Sequence, residues 1–343
     1  MNNKIRVAIT HGDFNGIGYE VIIKALAIDE LSSICTPVIF GSAELLAQTA
    51  KSIGAEYFYF NVINSAADII SGTVNVVDCC GPDLVMTPGH PSVQAGIAAA
   101  QALEAACQAL EDGEVDVLVT APINKRTIYH PERFPYPGHT EFLESRIGHG
   151  QKATMILFDD NIRVALVTTH LPLRAVPDAI TKESVVDKIR DLNDALGRDF
   201  ARDHSRIAVF SLNPHNGDNG LLGSEEIEEI EPAIAECVKE GILAFGPYAA
   251  DGFFGNGTFK HFDGIIAMYH DQGLAPFKAL AGEYGVNYTA GLPFVRTSPD
   301  HGTGYDIAGK NIADPTSMRQ AIYKAIDIFR NRKNFDRFSK NPL

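Results

Sequence analysis

The 343-residue chain has no CxxC pair and only five cysteines: Cys35, Cys79, Cys80, Cys107 and Cys237. This odd, scattered set excludes a disulfide framework and a cysteine-built zinc site, and it points to a reducing compartment. No apolar run approaches the roughly 18 residues that a bilayer-spanning helix needs. The opening MNNKIRVAIT reads directly as a strand, without the basic-then-apolar pattern of a secretory signal. A cytoplasmic location without membrane contact is therefore expected. Positive charge is also scarce, with 29 Lys and Arg against 43 Asp and Glu, a formal net charge of −14. Such a field disfavours nucleic acid and anionic lipid. An anionic substrate would need a local cluster of Lys, Arg, metal or helix N-termini. Two common nucleotide signatures are missing as well. Gly12, Gly16 and Gly18 fall in the wrong order for the dinucleotide fingerprint, and no Gly-Lys-Ser/Thr completes a phosphate loop.

What is present is the patterning of a globular α/β protein. Short β-branched runs (Lys4–Thr10, Pro37–Phe40, Val74–Asp78, Val115–Thr120, Thr154–Phe158, Arg163–Thr168, Arg206–Leu212, Gly264–Met268) predict strands. Between them, apolar residues at three and four spacing predict helices near Tyr19–Ala27, Gln94–Leu110, Lys182–Leu196, Glu225–Glu240 and Ser317–Asn331. This alternation argues for a largely parallel sheet. There is no internal repeat and no flexible linker. The Pro-rich stretch Ile123–Gly138 is the best candidate for a crossing between domains, with a return near Pro293–Gly304. One domain would then comprise residues 1–125 plus 300–343, and the other residues 126–299.

Three histidines end three predicted strands: His170 follows VALVTT, His215 follows IAVFSLNP, and His270 follows IIAMY. Ligands of open α/β sheets bind beyond the carboxyl ends of the strands. Neutral imidazoles there suit a divalent ion, and three protein ligands with an open position is the catalytic pattern. Asp271 directly follows one of them and Asn213 lies just before another. His90, His130, His149, His204 and His261 sit in polar or Pro/Gly-rich contexts that suit surface residues; His11, His139 and His301 do not.

The turn His11–Glu20 (HGDFNGIGYE) joins a strand to a helix. It admits two readings: a tight turn, or backbone N–H groups presented to an anion. Thr140 could cap a helix opening after Pro137, with His139 facing its start. Lys125, Lys278, Asn287 and Arg296 are polar residues in otherwise apolar or Gly-rich segments. Lys278 and Arg296 could clamp a phosphate or carboxylate.

In order along the chain, TAPINK (120–125), FPYPGHTEFLE (134–144), RVALVTTHLPLR (163–174), NPHNG (213–217), MYHDQGLAPFK (268–278) and GLPFVRTSPDHGT (291–303) resemble the 4-hydroxythreonine-4-phosphate dehydrogenase family. These are NAD-dependent enzymes of pyridoxal-phosphate biosynthesis. The resemblance implies an isocitrate/isopropylmalate-dehydrogenase-like α/β fold with two domains and a cleft between them. It also implies a homodimer with a shared active site. The family's divalent-metal ligands (for Zn, Mg or Co) fall on His170, His215 and His270, the third being supplied by the partner subunit. Its substrate contacts fall on His139, Thr140, Lys278, Asn287 and Arg296. His301–Pro315 looks like the adenosine-binding loop of isopropylmalate dehydrogenases, which points to His301, Gly302, Asp306 and Gly309 as contacts for NAD or NADP.

The implied reaction is metal-assisted oxidation of 4-phosphooxy-L-threonine at its 3-hydroxyl, followed by loss of CO₂ to give 3-amino-2-oxopropyl phosphate. Asp271 and His139 are the candidate bases. Two departures bear on substrate choice. The family's GDPAGIGPE reads GDFNGIGYE here, losing both prolines, and its HAGE-GG-LFG loop reads HNGDNGLLG. Relatives with the same histidines oxidise 4-phospho-D-threonate, 4-phospho-D-erythronate or cyclic dihydrodiols. A metal-dependent hydrolase or lyase without NAD is a further alternative, and a non-catalytic phosphate-ligand binder another.

Overall fold

The computed structural model describes residues 4–340. The ends of the expected domains, residues 1–3 and 341–343, lie outside them. In chain order the strands are β1 (Ile5–Thr10), β2 (Cys35–Gly41), β3 (Asn61–Ile63), β4 (Asn75–Asp78), β5 (Val117–Thr120), β6 (Thr154–Phe158), β7 (Arg163–Leu166), β8 (Arg206–Phe210), β9 (Leu243–Tyr248), β10 (Gly264–Ala267), β11 (Val286–Ala290) and β12 (Arg296–Pro299). The chain divides into two compact units. One runs to Ala153 and includes Leu292–Phe329; the other comprises Thr154–Gly291 and the chain from Arg330.

In the first unit the strand order is β3-β4-β2-β1-β5-β12, with every pair parallel. β2 and β5 are buried along their whole length. Their unbroken apolar runs are what a parallel sheet covered on both faces requires. The helix Val93–Glu111 is rich in alanine, and Ala99, Ala102, Leu103, Ala106 and Leu110 pack in one core with Val38, Phe40 and Leu118. Small side chains let this helix lie close to its neighbours. At Gly96 a Cβ would stand 1.9 Å from the carbonyl oxygen of Thr127, so the helix seats the short turn Lys125–Ile128 directly.

The Pro-rich stretch folds back on the first unit instead of crossing out of it. His130 and Phe134 pair backbone to backbone, and Phe134, Phe142 and Leu143 join the same core as the alanine-rich helix. The unit boundary therefore falls at 153/154 and 291/292, not at 125/126 and 299/300. The C-terminal helix, expected over Ser317–Asn331, extends over Thr316–Lys340.

In the second unit the order is β11-β6-β7-β10-β8-β9. β6 pairs antiparallel with β11 and β7, while β7, β10, β8 and β9 run parallel. Buried Tyr288 of β11 donates to Asp199 Oδ2 at 2.6 Å, and Arg332 Nε donates to Asp199 Oδ1 at 2.6 Å. This buried triad locks the strand that carries Asn287. The single helix expected over Glu225–Glu240 is a π turn (Glu226–Ile230) followed by an α-helix (Glu231–Lys239). Pro232 accounts for the break, because its ring clashes with the carbonyl four residues back and its missing N–H interrupts the ladder.

Replacing an exposed helical glycine by alanine ordinarily stabilises by about 1 kcal/mol. Gly96→Ala should do the reverse here, lowering the urea midpoint and displacing the Lys125 turn. A midpoint at or above wild type would show that the helix and turn are not in close contact.

Candidate active site

Three loops leave the carboxyl ends of neighbouring parallel strands in the second unit. β7 leads to His170, β10 to His270 at the start of the helix His270–Ala281, and β8 to His215. The loops are tied to one another. Thr168 donates through its N–H and its Oγ1 to Met268 O, at 3.1 and 2.8 Å, joining the β7 and β10 exits. Gln272 accepts from Met268 N–H at 2.7 Å and donates to Ser211 O at 2.7 Å, joining the β10 and β8 exits. Gln272 and Thr168 carried no recognisable signal in the sequence.

The His215 loop has an unusual backbone. His215, Asn216, Gly217, Asp218 and Asn219 all take left-handed φ values between 44° and 72°. Asn, Asp, His and Gly are the residues that tolerate this region, so the run HNGDNG is the local cause. Left-handed geometry still costs roughly 1 kcal/mol per ordinary residue, less for Asn and Asp, and the loop needs external support.

His270 Nδ1 lies 2.7 Å from Asp271 Oδ1, which leaves Nε2 as the nitrogen for a ligand. The rings of His170 and His270 are 6.2 Å apart between centroids. Two imidazoles sharing a tetrahedral ion with metal–nitrogen distances near 2.0–2.1 Å would stand about 5 Å apart. Among the described residues, no three His, Cys, Asp or Glu side chains come close enough to hold a metal ion. Within one chain, then, His170 and His270 approach each other and His215 does not join them. His215 lines a cavity of about 530 Å³ with Asn213, Asp251, Phe254, Tyr269 and Gln272. Lys278 is exposed, about two turns along the helix from His270. Asn287 sits in β11 opposite Leu157, its buried amide oxygen without a hydrogen-bond partner.

In the first unit, His139 opens the helix His139–Ile147 after Gly138, and no side chain caps that end. Its Nε2 is buried and has no hydrogen-bond partner. Burial, then the nearby charges of Arg296 and Lys125, hold its pKa well below the ordinary histidine value, so the ring is neutral near pH 7. Arg296 is buried at 3% exposure, and its Nε and Nη2 donate to Thr120 Oγ1 at 3.1 and 2.6 Å. Burial lowers its pKa to about 10, with Glu141 opposing the shift, so it remains cationic. Thr140 is half-buried beside His139. The stem of Lys125 lies against Gly138. His139, Arg296 and Lys125 thus bring two cations beside an unsatisfied nitrogen, with the Glu141 carboxylate close by, and the cations are of the kind that bind an anion. Thr120 closes TAPINK's strand, but nothing in its sequence context marked it as the partner of Arg296.

Of the two readings of the His11–Glu20 turn, the packing one accounts for its glycines. A Cβ on Gly12 would meet Pro122 O at 2.3 Å, and one on Gly16 would meet Thr303 O at 2.4 Å. The turn is stitched to its neighbours by Asp13, which accepts from Tyr305 Oη at 2.7 Å and from Asn15 N–H at 2.9 Å. Asn124 donates to the same Tyr305 oxygen at 3.0 Å. Tyr305 thereby anchors the His301–Pro315 loop. His301 Nδ1 lies 2.9 Å from Gly302 O, Asp306 is exposed, and Gly309 takes a left-handed φ of 74°. No atom lies within 4 Å of a Cβ placed on Gly302, so that stretch has open space for a ligand.

His11 is a structural residue. It is fully buried, stacks on Tyr19 with centroids 5.2 Å apart, and its Nε2 lies 3.3 Å from Ala98 O. Burial pushes its pKa down to about 4, with the Ala98 contact opposing.

A model of the family described as pyridoxal phosphate biosynthetic protein PdxA matches residues 33–325. A 4-hydroxythreonine-4-phosphate dehydrogenase of Bacteroides thetaiotaomicron is 52% identical over 99% of this chain and 93% of its own length. A D-threonate 4-phosphate dehydrogenase of Bordetella bronchiseptica is 37% identical over 94% of this chain and 92% of its own. The crystal structure of the 4-hydroxythreonine-4-phosphate dehydrogenase of Klebsiella pneumoniae superposes with a TM-score of 0.80 at 35% identity, covering 95% and 99% of the two chains. Isocitrate dehydrogenase of Methylococcus capsulatus shares the fold, with a TM-score of 0.50 at 13% identity over 98% and 89% of the chains.

The buried imidazole of His11 makes a pH test possible. Its folded pKa lies below the unfolded value of 6.5, so between pH 6.5 and about 4 the unfolded chain binds the extra proton. Stability present above pH 6.5 is therefore lost as pH falls, by up to about 3 kcal/mol from this group. Urea unfolding at pH 7 and pH 4.5 should show a smaller loss for His11→Gln than for wild type. Equal losses would remove His11 as a source.

Proposed function

Because the chain belongs to the family of the pyridoxal phosphate biosynthetic protein PdxA, we propose that it is an NAD(P)-dependent 4-hydroxythreonine-4-phosphate dehydrogenase. It would oxidise 4-phosphooxy-L-threonine at the 3-hydroxyl to 2-amino-3-oxo-4-phosphooxybutanoate, which loses CO₂ to give 3-amino-2-oxopropyl phosphate. The observation that carries the reading is the placement of His170, His215 and His270 on tied loops at adjacent strand ends. Its close relative in Bacteroides adds support. A homodimer fits the same observation, since one chain does not bring the three rings together. The five free thiols suit a cytoplasmic enzyme.

Of the cations that the resemblance implies, Zn and Co suit three imidazoles, whereas Mg would need added oxygen ligands. His270 is oriented by Asp271, as ligating histidines usually are by a carboxylate, and all three rings reach the surface. When bound, the cation would acidify the substrate hydroxyl and a nicotinamide would accept the hydride. Arg296, Lys125 and the His139–Thr140 helix start bind the phosphate or carboxylate end, and the resemblance adds Lys278 and Asn287 as further substrate contacts. His139 contributes a hydrogen bond from its unpartnered Nε2; its lowered pKa makes it a poor proton acceptor. Asp271 holds His270 in one tautomer. Open space at Gly302 and exposed Asp306 suit the dinucleotide.

The substrate is tested by comparing kcat/KM for 4-phosphooxy-L-threonine and D-threonate 4-phosphate, following reduction of NAD or NADP. The first should be preferred. The reverse order would favour the second reading, which the Bordetella relative motivates. Metal binding without nicotinamide reduction would instead support a hydrolase or lyase. Arg296→Ala should raise KM for the phosphorylated substrate by roughly 30-fold or more, the loss of a contact worth about 2 kcal/mol. His215→Ala should lose metal-dependent turnover with unchanged far-UV circular dichroism. Wild-type kcat in that variant would remove the metal mechanism.

A further inference from the structure

The left-handed run at His215 is gripped from below by one buried side chain that the reaction scheme does not use. Glu226 is the first residue of the π turn Glu226–Ile230 and is 1% exposed. Its Oε1 accepts from the backbone N–H groups of Leu212 and Asn213 at 2.8 and 2.7 Å. Its Oε2 accepts from Asn213 Nδ2 at 3.0 Å. A Cβ on Gly217 would stand 2.6 Å from that same oxygen, so the carboxyl group packs against the middle of the run as well as its entrance. The exit is closed by Leu222 N–H donating to Gly217 O at 2.9 Å.

We propose that Glu226 is a positioning residue for His215, holding the entrance and the middle of the left-handed turn so that the imidazole is presented to a divalent cation. The inference rests on the metal reading above. A run of non-glycine residues in left-handed geometry persists only where its surroundings over-determine it, and Glu226 supplies three of the hydrogen bonds that do so. The π turn has a purpose in this arrangement. An extra residue in the helical turn re-aims side chains, and such turns are frequent at functional sites. Glu226 touches neither substrate nor cofactor; it acts through Asn213 and the backbone.

The test uses the full chain and Co²⁺ as probe, titrated by its visible absorption. Partners that orient a metal ligand typically contribute 10- to 100-fold in affinity. Glu226→Gln keeps the side-chain shape but sets an NH₂ group where an acceptor is needed. It should fold like wild type, bind Co²⁺ roughly 10- to 100-fold more weakly, and show faster hydrogen exchange at the Leu212 and Asn213 amides. Asn213→Ala reaches the same contact from the other side and should weaken Co²⁺ binding in the same direction, should the Glu226 variant fail to fold. Glu228→Gln, on the exposed side of the same turn, should change nothing. Wild-type Co²⁺ affinity and spectrum in both Glu226→Gln and Asn213→Ala would overturn the proposal while leaving the metal site intact. A Co²⁺ titration unchanged by His215→Ala would instead remove the metal reading, and this inference with it.

Discussion

Parallel strands end together. Because β7, β10 and β8 run in one direction, their carboxyl ends open on one edge of the sheet, and whatever follows them is placed side by side before any loop has chosen a conformation. That constraint brings the three histidines to one neighbourhood. It does not fix them there, because a loop past the last ladder bond carries backbone groups that must find partners. The structure meets that need with hydrogen bonds between the loops: Thr168 to Met268, Gln272 to both Met268 and Ser211, and Glu226 to the amides after β8. Each contact satisfies a backbone group at a strand exit and also sets where a histidine-bearing loop begins.

The electrostatics follow from the same economy. A chain with net charge −14 does not attract a phosphorylated acid by its overall field, so attraction must be local. Arg296 is cationic and nearly sealed from water, tied to Thr120. In such surroundings a charge is screened little and its influence on neighbours grows. His139 registers that influence, held neutral by burial and by the charges beside it. The neutral ring can still donate one hydrogen bond to an anion that the fixed cation attracts.

Much of the fold was legible in the sequence, because strands covered on both faces read as unbroken apolar runs whether they pair parallel, as β2 and β5 do, or antiparallel, as does β6, whose bounds match the expected ones to the residue. The strand-end positions of His170, His215 and His270 were legible for the same reason. Short or mixed strands were not: β3, β9, β11 and β12 lack the length or the pattern that separates a strand from a loop. The compact units divide at 153/154 and 291/292, where the prolines suggest 125/126 and 299/300, because prolines mark irregular backbone and irregular backbone can still pack, as Phe134 and Phe142 do. Glu226 was hidden for a different reason. It stands in the acidic run EEIEEIE, where composition suggests a solvated helix face, and only Pro232 a few residues on hints that the helix cannot be regular.

The departures from the family pattern show how one structural task can be met by different chemistry. Proline stiffens a turn by removing backbone freedom. Where the family has GDPAGIGPE, this chain has Phe14, Asn15 and Tyr19, and the stiffness comes from hydrogen bonds instead. Asn15 Oδ1 accepts from Thr87 N–H at 2.7 Å and its Nδ2 donates to Ser92 Oγ at 3.0 Å. The Tyr19 hydroxyl accepts from Ser42 N–H at 2.7 Å and donates to Ser42 O at 3.1 Å. His11 stacks on that tyrosine and is buried so deeply that it has no access to a substrate. A proline restrains only its own turn, whereas these side chains bind the turn to the segments after β2 and β4. The glycine-rich turn is thereby built into the frame that carries Tyr305 and the loop it anchors. The altered residues bear on substrate choice only through that frame, since Phe14, Asn15 and Tyr19 are themselves buried.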